Sequence, residues 1–297
     1  MLNKNCLVWN LRGLNSQSHR NVVCELIGQE NISLLSLQET KLDACSDSLV
    51  MEICGAGFDF LFKPASNNCG GILLAWRNDV WSVTNLLIQS YSLTAKVTLL
   101  HKNESWWCTS VYGPQGDQEK LIFLDELRDV RVSCQDTWVV WGDFNLIYQA
   151  ADKNNQRLNR RLMNSFRVLL GEVELQELHL KGRLFTWSNE RDNPTLEHLD
   201  RVFASEEWFS AFPDHELSVL ASECSDHAPL LLRTDCVLPH YKRFRFENFW
   251  PRCDDYLQVV QDTLRYLGRP MRSMLSGVLI SNSGRRQRLS RAGMRNI

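Results

Sequence analysis

Short apolar runs recur along the first 236 residues, and they alternate with segments whose apolar residues are spaced three and four apart. Short runs bounded by turn residues are typical of buried strands, whereas the wider spacing is typical of helices. We predict strands at 6–9, 32–37, 58–62, 72–76, 93–100, 106–112, 137–141, 184–187, 199–204 and 229–233. Helices are predicted at 16–30, around Leu121, Leu124 and Leu127, and at 162–175. Because some strands follow one another directly and others follow a helix, we expect an α/β fold with mixed sheet structure and helices outside.

The composition is that of an ordinary soluble globular protein, with 44% hydrophobic and 23% charged residues in a chain of 297. No apolar run approaches the roughly 18–20 residues that cross a bilayer, and the first residues contain no apolar signal region. We therefore expect an intracellular protein. The ten cysteines are scattered without a Cys-x-x-Cys pair, which favours reduced, mostly buried thiols over a zinc site or a disulfide framework.

The charge of the chain is divided unevenly between two regions. Residues 1–236 contain 21 Lys and Arg against 31 Asp and Glu, and residues 237–297 contain 12 against 4. The net charge is therefore −10 in the first region and +8 in the second. We interpret 1–236 as one folded domain and 237–297 as a basic tail that contributes little to its core.

Polar side chains that could carry out chemistry collect where the predicted strands end. They are Asn10, Glu39, Tyr112, Asp143, Asn145, Asp200, Asp226 and His227. The carboxyl ends of strands are where α/β folds hold their ligands. Carboxylate oxygens suit Mg²⁺, and amide, phenol and imidazole groups suit phosphate oxygens. Since the set has no Ser or Cys nucleophile with a base and no phosphate-binding glycine loop, it favours metal-assisted hydrolysis of a phosphate ester over acyl or hydride transfer.

Each of these residues, taken alone, also has a structural interpretation. Glu39 could be a loop acid or a helix cap, and Asp143 and Asn145 could stabilise turns. Asp200 could form a surface ion pair with Arg201, and His227 could cap a strand. The functional interpretation therefore depends on the ordered set and not on one residue.

Six blocks, in chain order, resemble the signature motifs of the endonuclease/exonuclease/phosphatase superfamily, which includes DNase I, exonuclease III and the apurinic/apyrimidinic (AP) endonucleases. The blocks are 9–15 (WNLRGLN), 37–41 (LQETK), 111–114 (VYGP), 142–145 (GDFN), 199–201 (LDR) and 225–230 (SDHAPL). Two further segments, 185–189 (FTWSN) and 201–208, are most similar to the endonuclease domain of plant LINE-type (non-LTR) retrotransposons. Residues 244–250 resemble the segment that follows the nuclease in such polyproteins. The tail is thus expected to be the remnant of a linker towards a missing reverse transcriptase.

The resemblance implies a four-layer α/β sandwich, in which two packed mixed β-sheets are flanked by helices. It also implies a metal-dependent phosphodiesterase, with DNA nicking of the retrotransposon type as the first interpretation. Another phosphoesterase of the superfamily, acting on inositol phosphates, sphingolipids or RNA tails, is one alternative, and a non-catalytic protein with the same fold is the other. The cofactor would be Mg²⁺, with Mn²⁺ as the alternative.

The resemblance also implies roles by position. Glu39 and Asp226 would bind the metal, and Asp143 would activate or orient the attacking water. Phosphate oxygens would be held by Asn10, Tyr112 and Asn145. His227 would stabilise the charge that develops on the phosphate, and Asp200 would hold the histidine ring.

One departure and one basic patch bear on the substrate. Arg12 stands where AP endonucleases carry an acid that helps to bind metal, which favours the retrotransposon branch; it could contact DNA phosphate or lie on the surface. The patch consists of Lys153, Arg157, Arg160, Arg161 and Arg167. If 158–170 is helical, Arg157 and Arg161 share a face and could touch the DNA backbone, although a solvated helix face is the alternative. We expect DNA as the partner, a nuclear location and no obligate protein partner.

Overall fold

Two β-sheets, a short two-stranded ribbon and five α-helices make up the part of the chain that the computed structural model describes, residues 4–66, 69–222 and 224–235. The strands are β1 (Asn5–Asn10), β2 (Ile32–Gln38), β3 (Phe58–Ser66), β4 (Cys69–Arg77), β5 (Trp81–Ile88), β6 (Ser92–Leu99), β7 (Glu104–Tyr112), β8 (Trp138–Asp143), β9 (Gln176–Glu177), β10 (Leu180–Lys181), β11 (Trp187–Ser188), β12 (Leu196–Glu197), β13 (Asp200–Ala204), β14 (Glu216–Val219) and β15 (Leu230–Arg233). The helices are α1 (Gln17–Glu30), α2 (Asp47–Cys54), α3 (Asp117–Ser133), α4 (Arg160–Glu172) and α5 (Glu206–Ala211). The predicted tail, 237–297, lies outside the described residues.

Both large sheets are mixed. The first has the order β10-β14-β15-β1-β2-β4-β3, and the second has the order β5-β6-β7-β8-β13-β9. Within each sheet one central pair is parallel, β1 with β2 and β7 with β8, and a helix connects the two strands of each pair. The parallel pairs matter for function because their carboxyl ends fall at one edge of each sheet.

Side chains of successive strand residues alternate between two apolar layers. In β1, Leu7 and Trp9 pack in the cluster that contains the buried faces of α1 and α2. Cys6 and Val8 face the second sheet, in a cluster that also contains Trp141. On the far side of the second sheet, α3 and α4 pack on a third cluster. The order helix, sheet, sheet, helix confirms the predicted four-layer α/β sandwich.

The layer between the sheets becomes polar towards the carboxyl ends of the central strands. The Oγ of Ser36 in β2 donates to the Oγ of Ser110 in β7 across 2.8 Å, and the indole Nε1 of Trp141 donates to Ser110 across 3.0 Å. Gln38 donates to the Ser36 hydroxyl across 2.6 Å. The bond between Ser36 and Ser110 joins the two sheets just before Glu39 and Tyr112, and the other two bonds hold its hydroxyl groups in place. Together they fix how the ends of β2 and β7 face each other.

The elements missed by sequence analysis are short or lie at sheet edges. Strand β5 has half its residues exposed and no regular alternation, and helix α2 has eight residues. The predicted strand 184–187 is largely wrong, since only Trp187 of that segment is in a strand. Helix α4 begins at Arg160 because the Asn159 side chain accepts a hydrogen bond from the Leu162 amide. Arg157 therefore lies before the helix, and the predicted shared face with Arg161 is wrong.

Among the seven cysteines whose side chains the structure describes, four are buried and all are free thiols. Burial raises the pKa of Cys6 to about 12, which keeps that thiol protonated and unreactive. No helix within the same ranges is both long enough and apolar enough to cross a membrane.

Arg201 is buried at the start of β13 and does not form the surface pair with Asp200 that sequence analysis considered. Its guanidinium donates to the carboxylates of Asp152 and Glu177 and to the carbonyl oxygen of His198. Asp152 in turn accepts from the amides of residues 148 and 149. The network ties β13, β9 and the 3₁₀ turn Ala150–Asp152 to one another.

Replacing Arg201 with Met should lower the free energy of unfolding by about 3–5 kcal/mol, because Asp152 would remain buried without a cation. Arg77→Met is the matched control, since Arg77 pairs with Asp79 where both side chains are about half exposed. Loss of such a surface pair costs about 0–1 kcal/mol. Urea denaturation followed by circular dichroism measures both changes, and equal losses would contradict a special role for the buried network.

Candidate active site

All eight site residues predicted from the sequence come together at one edge of the sandwich. Six of them line a cavity of about 290 Å³, the central cavity: Glu39, Tyr112, Asp143, Asn145, Asp226 and His227. The other two, Asn10 and Asp200, are buried and hydrogen-bonded to residues that line it. Residues that are spread from position 10 to position 227 of the chain thus meet at a single cavity.

Strand direction explains this convergence. Asn10 ends β1, Tyr112 ends β7 and Asp143 ends β8, and these strands finish at the same edge. Asp200 reaches the edge from the opposite direction, because β13 is antiparallel to β8 and pairs Asp200 with Asp143 in register. The site therefore receives residues both from the ends of β1, β7 and β8 and from the beginning of β13.

The backbone around the cavity is strained. Arg12, Glu39, Lys41 and Asn145 have φ values of 54°, 52°, 56° and 50°. Residues with side chains rarely adopt this left-handed conformation, and where they do so the surrounding structure must hold them in place. Gly142 has a φ of 130°, and a Cβ there would lie 2.2 Å from the carbonyl oxygen of Val111. Glycine thus lets β8 approach β7 closely just before Asp143.

His227 is held by a carboxylate on one side of its ring. Its Nδ1 lies 2.9 and 3.1 Å from the two carboxylate oxygens of Asp200. Its Nε2 lies 3.8 Å from Oδ2 of Asp143. The backbone is fixed as well, since the His227 carbonyl accepts from the Trp9 indole across 2.9 Å. Asp200 therefore orients the ring and leaves Nε2 as the nitrogen on the Asp143 side.

The charges of this buried group depend on one another. Burial alone would lower the pKa of His227, but the carboxylates of Asp200 and Asp143 outweigh that effect and raise the pKa to about 9. Burial raises the pKa of Asp143 to about 6, although the His227 cation opposes the rise. His227 is thus a cation at neutral pH, because two carboxylates compensate for its removal from water.

Two asparagines fix the carboxylate of Asp143. The side-chain Nδ2 of Asn10 donates to Oδ2 across 2.8 Å, and the backbone amide of Asn145 donates to Oδ1 across 2.9 Å. The side chain of Asn145 donates to the carbonyl oxygen of Gly113 across 2.7 Å. Asp143 is consequently held in one orientation at the floor of the central cavity.

The two acids predicted to bind metal both line this cavity, and each contacts a basic side chain. Glu39 lies 3.1 Å from Nζ of Lys41. Oδ2 of Asp226 accepts from Arg12 and from the indole of Trp187, each across 2.8 Å. The structure thus places Arg12 on the wall of the cavity.

The donor set fits a divalent cation. Oδ1 of Asp226 is buried and has no hydrogen-bond partner among the described residues. Carboxylate oxygens of this kind are the ligands that Mg²⁺ and Mn²⁺ prefer. Asp143, Asp200 and His227 also bring ligand atoms within 4.8 Å of one another. Asp200 and His227 are already paired in the hydrogen bond described above, so the free oxygen of Asp226 and Glu39 are the better candidates.

Sequence analysis missed Lys120 and assigned no role to Trp187, although both line the cavity. Lys120 lies in the first turn of α3, after the Gly-Pro break that follows β7, and no motif marks it. The predicted basic patch, by contrast, contributes no residue to the cavity lining. Lys153 of that patch is paired with Glu197 across 2.6 Å, and Arg167 donates to a backbone carbonyl.

Comparison with known proteins identifies the family of the chain and agrees with the fold. A sequence profile described as the Endonuclease/Exonuclease/phosphatase family matches residues 7–227. The AP endonuclease LMAP from Leishmania major has a TM-score of 0.64 at 15% identity, over 77% of this chain and 86% of that chain. The endonuclease domain of TRAS1, a telomere-specific non-LTR retrotransposon, has a TM-score of 0.59 at 15% identity, over 79% of this chain and 100% of that chain.

The human Nocturnin catalytic domain, solved with a bound sulfate anion, has a TM-score of 0.51 at 14% identity, over 77% of this chain and 93% of that chain. At these identities the structural likeness concerns the fold. No protein with a curated description matches the sequence significantly.

Replacing Asp200 with Asn should lower the pKa of His227 from about 9 by about one unit or more, because burial would remain while the nearest carboxylate is removed. NMR titration of the imidazole in metal-free protein measures this shift. The variant should remain folded, since Asn occupies the same volume. His19→Asn, at a half-buried histidine of α1 whose Nδ1 lies 2.7 Å from the Gly13 carbonyl oxygen, is a control for the assignment of the His227 signal. An unchanged midpoint would contradict the pairing of His227 with Asp200.

Proposed function

Because the chain belongs to the endonuclease/exonuclease/phosphatase family, whose members hydrolyse phosphate esters, we propose that it is a divalent-metal-dependent endonuclease that nicks DNA. The observation that carries the proposal is the buried group of Asp143, Asp200 and His227 at the floor of the central cavity. Such a group places a carboxylate that can accept a proton from water next to a cation that can stabilise charge on a phosphate.

Asp143 accepts the proton of the attacking water in this proposal. Its two oxygens are already oriented by Asn10 and Asn145, so its lone pairs have a fixed direction before substrate binds. As the water oxygen bonds to phosphorus, the bond from phosphorus to the leaving oxygen breaks, and charge develops on the non-bridging oxygens. The His227 cation, with Tyr112 and the amides, stabilises that charge.

Glu39 and Asp226 would hold the divalent cation. When bound, that cation would neutralise phosphate charge as a Lewis acid. Arg12 adds a positive charge beside Asp226. AP endonucleases have an acid at the position of Arg12. This exchange of an acid for a base favours a branch of the family other than abasic-site repair, and the retrotransposon-like segments 185–189 and 201–208 support the same branch.

A plasmid-nicking assay tests the proposal directly. Purified protein should convert supercoiled plasmid to the nicked form with Mg²⁺ or Mn²⁺ and should be inactive with EDTA. Asp143→Asn and His227→Ala should each lower kcat by about 10²–10⁴-fold. Release of phosphate from a small ester without DNA cleavage would favour a different phosphoesterase of the family. Inactivity on every substrate would favour a non-catalytic protein with this fold.

Kinetics can also show whether Asp200 and His227 act as one unit. Asp200→Asn should lower kcat strongly, and the loss should grow as the pH rises from 6 to 8, because the histidine then loses its proton within that range. Adding His227→Ala to Asp200→Asn should cost little more. Fully additive losses would mean that the two residues act independently.

Glu39→Gln should weaken Mg²⁺ binding by about tenfold or more, since even the loss of an outer partner costs about 10–100-fold in metal affinity. Isothermal titration with MgCl₂ measures this without any substrate. Glu52→Gln is the control, because Glu52 pairs with Arg20 at the surface of α1 and α2. Equal affinities in the two variants would contradict the role of Glu39.

A DNA substrate further implies that the protein works in the nucleus, which imaging of a tagged chain would test.

A further inference from the structure

Lysines in the described part of the chain fall into two groups. Six of them lie within 4.0 Å of a carboxylate: Lys4, Lys41, Lys96, Lys102, Lys153 and Lys181. Lys63 and Lys120 form no such pair with any described residue. Both are half-buried, and both line cavities at the proposed active site. A half-buried ammonium without an anion is unfavourable by itself, so its position suggests that an anion arrives from outside.

Lys63 lines a second cavity beside the central one. This side cavity has a volume of about 440 Å³ and shares Glu39, Tyr112 and Gln115 with the central cavity. The shared residues form a common wall, so a substrate bound at the centre can extend past Glu39 and Tyr112 into the side cavity. A volume of this size is in the range of small-molecule binding pockets.

The sheet fixes Lys63 at this position. Lys63 lies in β3 and pairs in register with Ile72 of β4. Burial lowers the pKa of Lys63, and Glu126 opposes that change only in part. The Glu126 carboxylate is already occupied, because it accepts from the amide of Tyr91 across 3.0 Å and from the hydroxyl of Ser92 across 2.7 Å. Glu126 thus weakly stabilises the ammonium from a distance, and Lys63 forms no ion pair with any described residue.

Two glycines, Gly70 and Gly71, form part of the wall of the side cavity. Gly70 and Gly71 have φ values of 80° and 87°, and a Cβ on Gly71 would lie 2.3 Å from Oγ1 of Thr40. Their carbonyl oxygens accept from the amides of Lys41 and Thr40, which holds this wall against the turn that carries Glu39. Tyr91 lines the same cavity and offers an aromatic ring of the kind on which bases stack.

We propose that the side cavity binds the nucleotide next to the scissile phosphate, and that the ammonium of Lys63 receives that nucleotide's own phosphate. The inference rests on the proposed function and extends it, because it requires a substrate with at least two neighbouring phosphates. It predicts a preference for an internal bond of a polynucleotide over an isolated diester. Lys120, on the wall of the central cavity, faces the scissile phosphate in the same scheme.

The test compares two substrates in the same variants. One is supercoiled plasmid, and the other is bis(p-nitrophenyl) phosphate, a diester without a neighbouring phosphate. In Lys63→Gln, the ratio of kcat/KM on plasmid to kcat/KM on the small diester should fall by about tenfold, as expected for one lost charged contact. The slope of log kcat/KM on plasmid against log salt concentration should become shallower by about 0.9. Lys63→Arg, which keeps the charge, should restore most of the ratio.

Lys96→Gln is the matched control, because Lys96 is also a half-buried lysine of a strand but pairs with Asp136 away from both cavities. It should leave the ratio and the salt slope as in the wild type. Thermal melting checks that each variant is folded, and Lys63→Met, which keeps the aliphatic stem, replaces Lys63→Gln if the latter melts early.

The outcomes separate this inference from the proposed function. A wild-type protein that nicks plasmid, with an unchanged ratio and slope in Lys63→Gln, would overturn the inference alone. Equal losses on both substrates would place Lys63 at the catalytic centre and would also overturn it. A wild-type protein that cleaves only the small diester would overturn the proposed DNA substrate and this inference together.

Discussion

The removal of three ionisable side chains from water is the constraint on which the rest of the site depends. Asp143, Asp200 and His227 are almost wholly buried, and an isolated charge in such a place would be strongly unfavourable. The attraction of both carboxylates to the His227 cation, together with the amide donors of Asn10 and Asn145, compensates for the lost hydration. This compensation works only if the side chains are held within about 0.5 Å of the required geometry, so the fold must hold them on rigid elements.

The sandwich supplies those supports through the ends of its central strands. Each strand is held within its sheet, and the hydrogen bond between Ser36 and Ser110 joins the two sheets just below the cavity. Trp141, in the same sheet as Ser110, holds the Ser110 hydroxyl in place. The strained backbone at Glu39 and Asn145 is then held by its surroundings and not by local preference. The preorganised carboxylate and cation are what the proposed phosphate chemistry requires.

The two acids that could bind metal are paired with basic side chains. Glu39 contacts Lys41 and Asp226 contacts Arg12, so a cation lies beside each acid. These cations lie at the site although residues 1–236 carry a net charge of −10. A phosphate backbone bound at the site would contact them together with the His227 cation.

The sequence by itself determined the periodicity that separates strands from helices, and the order of polar residues that follow the strands, because both are local properties of the chain. It could predict the four layers and the membership of the site through family resemblance. It could not predict that Arg201 is buried while its neighbour Asp200 holds His227. Nor could it predict that Lys153 forms an ion pair while Lys63 forms none with the residues the structure describes. Those outcomes depend on contacts between residues far apart in the chain, and only the packing of the two sheets decides which side chains meet and which remain in water.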